Sequence, residues 1–406
     1  MQYSYDEVLE KIESTHRFGN QPGVEVTGRM LEKLGNPQQN LPYIHVAGTN
    51  GKGSVCAFLD RILRELGKKV GRFTSPHLVD FRERITVNGQ MISHADVARL
   101  GNILLSVDFG ITPTMFDYCL AMAILYFREQ QCDMVIIETG LGGRLDSTNA
   151  LGRPKLVVIT RIGYDHTAIL GDTLTEIAEE KAGILKEKVP AVFAPQEPEA
   201  LQVLIQRAQE LGLAYHVVAE EEIQRAKTYQ PGLLGAYQLE NAAVASAAMR
   251  MLELSTDTAR LEQTIAKGIH DSRWPGRMEI LTEHPFFMVD GAHNSSGIRA
   301  LRDSLRKLYP NEKFHFIMGV MADKDYEEMV ELLLPLALDF VTVTPESHRA
   351  LQGEALAEYI RSRNVPARTM QNIQEISSLP VEGERTIALG SLYFIGELEA
   401  IYGIHL

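Results

Sequence analysis

HVAGTNGKGS, residues 45–54, lies between a short β-rich run, YIHVA (43–47), and a stretch with apolar residues at helical spacing, SVCAFLDRILREL. The usual phosphate-loop pattern, G-x-x-x-x-G-K-[ST], does not fit it. Val46 stands five places before Gly51, and Lys52 is followed by Gly53. Even so, Gly48, Gly51 and Gly53, interleaved with Thr49 and Asn50, let the backbone curl and turn its N–H groups inward. The helix that follows aims its positive end at an anion. Lys52 supplies a mobile charge for terminal phosphates, and Ser54 a hydroxyl for a Mg²⁺ ion. An unliganded strand–helix turn is the alternative, and the rest of the chain has to decide.

Working outward, DMVIIE (133–138) and LVVIT (156–160) are continuous apolar runs of the kind buried on both faces of a parallel sheet. Each is followed by a loop rich in glycine or polar residues, TGLGGRLDSTN (139–149) and RIGYDHTAILGDT (161–173). Glu138 and His166 therefore fall at or just beyond the carboxyl ends of strands, where open α/β sheets gather ligands, and can share one cleft with Ser54. Lys181, in EIAEEKAGILK, follows two glutamates, and composition alone reads it as part of a solvated helix face. Capping boxes at Ser93–Asp96 and Thr114–Asp117 mark two helix starts.

After SRWPGR a second alternating series begins with FFMVDG and ends with TIALGS and a last helix. The expected fold is α/β. A P-loop-type, mostly parallel ATPase domain covers residues 1–275, a junction 276–284, and a smaller Rossmann-like α/β domain 285–406.

Whole-chain properties narrow the function. At 406 residues the chain suits two domains, and 45% hydrophobic with 23% charged residues is the mixture of a globular protein. A formal charge of -13 argues against nucleic-acid binding, and an anionic substrate must be drawn in by a local basic cluster. Cys56, Cys119 and Cys132 show neither metal-ligand spacing nor a disulfide framework. The acidic start, MQYSYDEVLEKIES, has no apolar leader, and no apolar run is long enough to cross a membrane. A cytoplasmic monomer is expected.

GTNGKGS, SPHL followed by FRERI, ETGLGGRLDSTN, YDHTAILG, EKAGILK, YQLENA, PGRMEI, DGAHN and GSLYFIGE occur in this order. Together they resemble folylpolyglutamate synthases and the bifunctional bacterial form that is also a dihydrofolate synthase, within the Mur-ligase superfamily. The resemblance covers about residues 40–400, and the altered loop is that superfamily's own form.

It implies an ATP-dependent ligase with two Mg²⁺ ions that joins L-glutamate to a folate or dihydropteroate carboxylate, and it leaves a monovalent cation such as K⁺ open. By resemblance the ATP site comprises Gly48, Thr49, Asn50, Gly51, Lys52, Gly53, Ser54, Gln238, Asn241, Arg277 and Asp290. Ser54 and Glu138 hold one metal ion, and His166 serves the second. Lys181 becomes a carbamate beside the metals, which requires burial to lower its pKa. Ser75, Pro76, His77, Arg84 (or its neighbour Arg82) and Phe116 line the folate side, and His293 and Ser391 bind glutamate. The family usually has Glu where this chain has Asp117, so Asp117 is given no contact.

Two rivals remain. A cell-wall Mur ligase shares the loop, the metal residues and the lysine but carries a further domain ahead of the loop, for which 47 residues before Gly48 are too few. A P-loop kinase or nucleotide switch would not need DGAHN and GSLYFIGE.

Overall fold

The computed structural model describes residues 2–15, 22–254, 257–347 and 349–403. The chain divides into two units. The first comprises Met1–His77, Phe81–Pro231 and Glu240–Ser272; the second comprises Leu78–Asp80, Gly232–Leu239 and Arg273–Leu406.

The first unit is built on β1 (Tyr43–Ala47), β2 (Val70–Phe73), β3 (Ile85–Val87), β4 (Gln90–Met91), β5 (Met134–Glu138), β6 (Leu156–Ile159), β7 (Ala191–Phe193) and β8 (Tyr215–Val217). Their order across the sheet is β4-β3-β2-β5-β1-β6-β7-β8. β1 is central and runs parallel to both β5 and β6, with Val46 opposite Glu138 and Ala47 opposite Ile159. Every residue of β1, β5 and β6 is buried, as continuous apolar runs require when helices cover both faces. The exception to apolarity in β1 is His45, which is fully buried.

The edge formed by β3 and β4 is antiparallel. Asn88 and Gly89 turn it at φ of 50° and 77°, both left-handed, the conformation a two-residue hairpin asks of an Asn-Gly pair.

The second unit carries β9 (Glu279–Glu283), β10 (Phe286–Asp290), β11 (Phe314–Met318), β12 (Ala337–Thr342), β13 (Ala367–Thr369) and β14 (Arg385–Leu389), in the order β13-β12-β11-β14-β10-β9. All pairs are parallel except β9 with β10. The stretch expected as a junction, 276–284, thus holds a strand, because Glu279 to Glu283 pairs back on β10. Separate apolar clusters fill either side of this sheet, one around Phe314, Phe316 and Leu301, the other around Phe287, Val289 and Phe394.

The helix Lys52–Glu65 follows the phosphate-type loop and rests on the helix Thr258–His270. A side chain at Gly268 would put its Cβ 2.7 Å from Ile62 Cα and 2.9 Å from Ile62 N. These are backbone atoms, so neither helix can yield without moving as a body. Gly268→Ala is therefore expected to destabilise the first unit by about 1–3 kcal/mol despite Ala's higher helix propensity. Urea unfolding followed by circular dichroism checks this; an unchanged or raised midpoint would contradict the packing.

Candidate active site

The loop after β1 is held from one side by the segment after β6. The amides of Thr49 and Asn50 donate to the Arg161 carbonyl at 2.9 and 3.2 Å. The Thr49 hydroxyl donates to the Gly163 carbonyl and accepts from the Gly163 amide, at 3.0 and 3.1 Å. Arg161 is itself fixed by a two-pronged ion pair with Glu240.

Two of the glycines are obligatory. Gly48 has φ of 148°, and a Cβ there would lie 1.9 Å from Thr160 Oγ1. Gly51 has φ of 89°, and its Cβ would lie 2.3 Å from Asn241 Oδ1. Gly51 caps the helix Lys52–Glu65 with no side chain, so the positive end of that helix faces the hollow of the loop. Lys52 bends back over it, donating from Nζ to the carbonyls of Gly48 and Thr49 at 3.1 Å each.

Ser54 is buried in the first turn of that helix, and Glu138 is buried at the end of β5, one strand over. A Glu138 oxygen accepts from the Ser75 amide at 3.2 Å. His166 caps the short helix Thr167–Leu170 from a left-handed conformation, φ 52°, which histidine adopts more readily than most residues with a side chain. Among the described residues no group of three or more His, Cys, Asp or Glu is placed to hold a metal ion. The Ser54 hydroxyl and the Glu138 carboxylate are oxygen donors of the kind Mg²⁺ takes, and the His166 imidazole is a separate donor.

Lys181 departs from the reading that composition favours. It is buried, and its Nζ donates to the Gly48 carbonyl at 2.9 Å, the oxygen that Lys52 also holds. Burial, reinforced by the Lys52 charge, pulls its pKa down to about 7. The condition set for a reactive, neutral amine is met. Its helix Leu174–Ala182 is clamped to the segment after β5, where Arg144 N–H donates to the Glu180 carbonyl at 2.7 Å.

On the Ser75 side, Phe116 is half-buried and meets Phe73 edge to face at 5.5 Å. Arg84 is buried, and its Nε donates to His77 Nδ1 at 2.8 Å, so it holds the SPH segment in place. Asp117 is fully buried and accepts from the Thr27 and Ser147 hydroxyls on one oxygen and from the Thr114 hydroxyl and amide on the other. Four donors saturate it.

In the second unit, Arg277 lies over Gly291, where a Cβ would come 2.2 Å from its Nη1, and it donates to the Gly276 carbonyl at 2.9 Å. Asp290 is buried, with one oxygen on the Met278 amide (2.8 Å) and Tyr237 hydroxyl (3.1 Å) and the other on the Ala292 amide (2.8 Å). These bonds fasten the Arg277 turn to the end of β10. Gln238 is buried beside Tyr237. His293 Nδ1 bonds the Gly291 carbonyl at 2.7 Å. Ser391 is the N-cap of the helix Leu392–Tyr402, accepting from Tyr393 N–H.

The sequence matches the Mur ligase middle domain over residues 46–249 and the Mur ligase glutamate ligase domain over 276–384. It is 36% identical to the dihydrofolate synthase/folylpolyglutamate synthase of Bacillus subtilis, across 97% of this chain and 98% of that one. The chain belongs to the folylpolyglutamate and dihydrofolate synthase family. It is a ligase. E. coli FolC, solved in complex with DHPP and ADP, superposes with a TM-score of 0.86 at 28% identity, over 99% of this chain and 98% of that one. The Yersinia pestis bifunctional synthase, complexed with AMPPNP and a Mn ion, gives 0.86 at 26% identity, over 99% and 98%.

Sequence reading missed three residues within this family fold: Tyr237, Asp146 and His45. Tyr237 opens YQLENA, and its only signal was a phenol beside residues already chosen. Asp146 lies inside the quoted LGGRLDSTN, and its hydrogen bonds to the Leu141 and Thr148 amides could not be read from spacing.

Lys181 also yields a measurable pH dependence. Its folded pKa lies below its unfolded value, so between about pH 7 and 10.5 the unfolded chain holds a proton that the folded chain lacks. The resulting penalty is full below that window and fades as pH rises through it. Lys181→Met is expected to remove a rise in stability of a few kcal/mol (order of magnitude) across the window. Parallel wild-type and variant stability curves from urea titrations at several pH values would contradict the buried neutral amine.

Proposed function

We propose that this chain joins L-glutamate to the carboxylate of dihydropteroate or of a reduced folate, using ATP and releasing ADP and phosphate. The observation that carries the reading is the cluster at the carboxyl ends of β1 and β5: a glycine-shaped loop under Lys52, the buried Glu138, and the buried amine of Lys181 on the Gly48 carbonyl. A similarity to folate ligases that runs the length of both chains supports it.

A carboxylate is a poor electrophile, so the acid is first phosphorylated. Its oxygen attacks the γ-phosphorus, the bond to the ADP oxygen breaks, and an acyl phosphate forms. The glutamate amine then attacks the acyl carbon, phosphate leaves, and a proton is lost from nitrogen. Two anions must meet in the first step, so concentrated positive charge is the main catalytic need. Lys52 and Arg277 supply it at the phosphates, and the loop amides of residues 48–54 cradle them. Two Mg²⁺ ions would contribute further charge when bound, one held by Ser54 and Glu138 and the second served by His166.

Asn241 and Gln238 serve the adenine end, and Asp290 acts through the Arg277 turn that it fastens. Ser75, Pro76, His77 and Phe116 receive the pterin acid, with Arg84 acting through His77. His293 and Ser391 take the glutamate carboxylate, Ser391 while it also caps its helix. The neutral Lys181 amine adds to CO₂: an N–C bond forms, a proton leaves nitrogen, and a carbamate anion replaces the neutral amine.

Purified protein with ATP and Mg²⁺ is expected to release ADP only when glutamate and a pterin acid are both supplied. Dihydropteroate and a reduced folate monoglutamate, tested separately, divide the two activities. Equal ADP release without either substrate would sink the proposal. Lys52→Met is expected to lower kcat by about a hundredfold to a thousandfold, the range for removing one group aimed at developing charge. For Lys181, ¹³C-bicarbonate should give a carbamate carbon signal that is missing from Lys181→Met; the same signal in both would remove the carbamate from the reading.

A further inference from the structure

A fully buried histidine in the middle of a central parallel strand calls for a cause. His45 sits on β1 opposite Ile137 of β5 and Val157 of β6. Its Nε2 lies 2.8 Å from Thr148 Oγ1. The Thr148 hydroxyl has one proton, and that proton goes to Asp146 Oδ1, in a close contact. The hydroxyl can then only accept from His45, so the imidazole carries its proton on Nε2. Nδ1 is left as a bare lone pair, and it is buried with no hydrogen-bond partner. Burial lowers the imidazole pKa to about 3, in keeping with a permanently neutral ring. An apolar residue would avoid this desolvation, so the donor end of the ring has to account for it.

The chain of bonds leads toward the acid-binding side. Asp146 takes the Thr148 amide on Oδ1 at 3.0 Å and the Leu141 amide on Oδ2 at 2.8 Å, closing the turn after Glu138. Gly140, exposed in that turn, has no room for a side chain. A Cβ there would lie 2.8 Å from Phe116 Cζ and 3.2 Å from Asp146 Oδ2. The Phe116 ring therefore rests directly on the turn that Asp146 holds.

We propose that His45 is a positioning residue for the pterin-acid site: through Thr148 and Asp146 it locks the Gly140–Leu141 turn and so fixes the seat of the Phe116 ring. This rests on the reading above that Phe116 faces the pterin ring of the acid. The consequence is specific to one substrate of three. Loosening the turn should weaken binding of the acid and leave ATP and glutamate alone.

Steady-state kinetics of paired variants test this. The amide nitrogen of Gln reaches the Nε2 position, whereas that of Asn reaches the Nδ1 position. His45→Gln should therefore preserve the donor and His45→Asn should lose it. Thr148→Val and His45→Asn are expected to raise KM for the acid about tenfold, the loss typical of one buried hydrogen bond. KM for ATP and for glutamate should stay within about twofold, and Thr148→Ser and His45→Gln should lie close to wild type. Equal effects of Gln and Asn, or a loss read in KM for ATP, would overturn the proposal.

A measurement on the unaltered protein stands beside these in case a variant does not fold. ¹⁵N NMR of histidine-labelled enzyme should show one imidazole that stays neutral to low pH with its proton on Nε2, and a proton on Nδ1 overturns the relay. If the wild-type enzyme consumes no pterin acid at all, the functional reading fails, and the NMR result still decides whether the relay exists.

Discussion

Two lysine amines share one carbonyl oxygen, that of Gly48, and the chemistry of the first unit depends on this arrangement. Two like charges that close repel, which adds to the effect of burial on Lys181. Lys181 is the more deeply buried, and burial is the first cause of its lowered pKa, with Lys52 second. The outcome is a division of labour. In the proposed reaction Lys52 serves the phosphates and Lys181 is the amine that takes up CO₂. Gly48 makes this geometry available, since any side chain there would collide with Thr160 and push β1 away from β6.

Much of the fold was legible because its central strands are buried on both faces. β1, β5, β6, β10, β11 and β14 announce themselves as short β-rich or apolar runs, each ending in glycine or a polar residue. The strands that escaped reading are edge strands or broken patterns. β2 reads VGRF, with Gly71 packed against the Phe127 ring and Arg72 facing Asp60, so neither apolar continuity nor alternation survives. β9, with EILTE, pairs on one side only and carries polar residues that resemble a linker. The Asn88–Gly89 hairpin did leave a signal, an Asn-Gly pair between two β-rich stretches, which went unused.

The candidate site was legible to a different degree in its two kinds of residue. Groups that would meet a ligand sit in recognisable strings, since a phosphate or a metal demands particular side chains at fixed spacing. Groups that hold those strings in place do not. Asp290 also bonds Met278, Ala292 and Tyr237, and Arg84 Nε also bonds His77, and neither set of partners shows in the spacing of the sequence. Lys181 illustrates the opposite error. Its neighbours Glu179 and Glu180 suggest a wet helix face, but helical spacing turns the lysine inward, and only the three-dimensional packing reveals that.

The way the two sheets terminate has a separate consequence. The first ends in β4, two residues long, and in β8, three residues; the second ends in three-residue β13 and in β9. An outer strand with free amides and carbonyls is a template on which another polypeptide can zip up, and a brief one offers few rungs. β9, the longest of the four, opens and closes with Glu279 and Glu283, whose charges repel a like neighbour laid alongside. The fourteen strands among the described residues thereby leave little open ladder at the margins of the two sheets, which guards against edge-to-edge self-association.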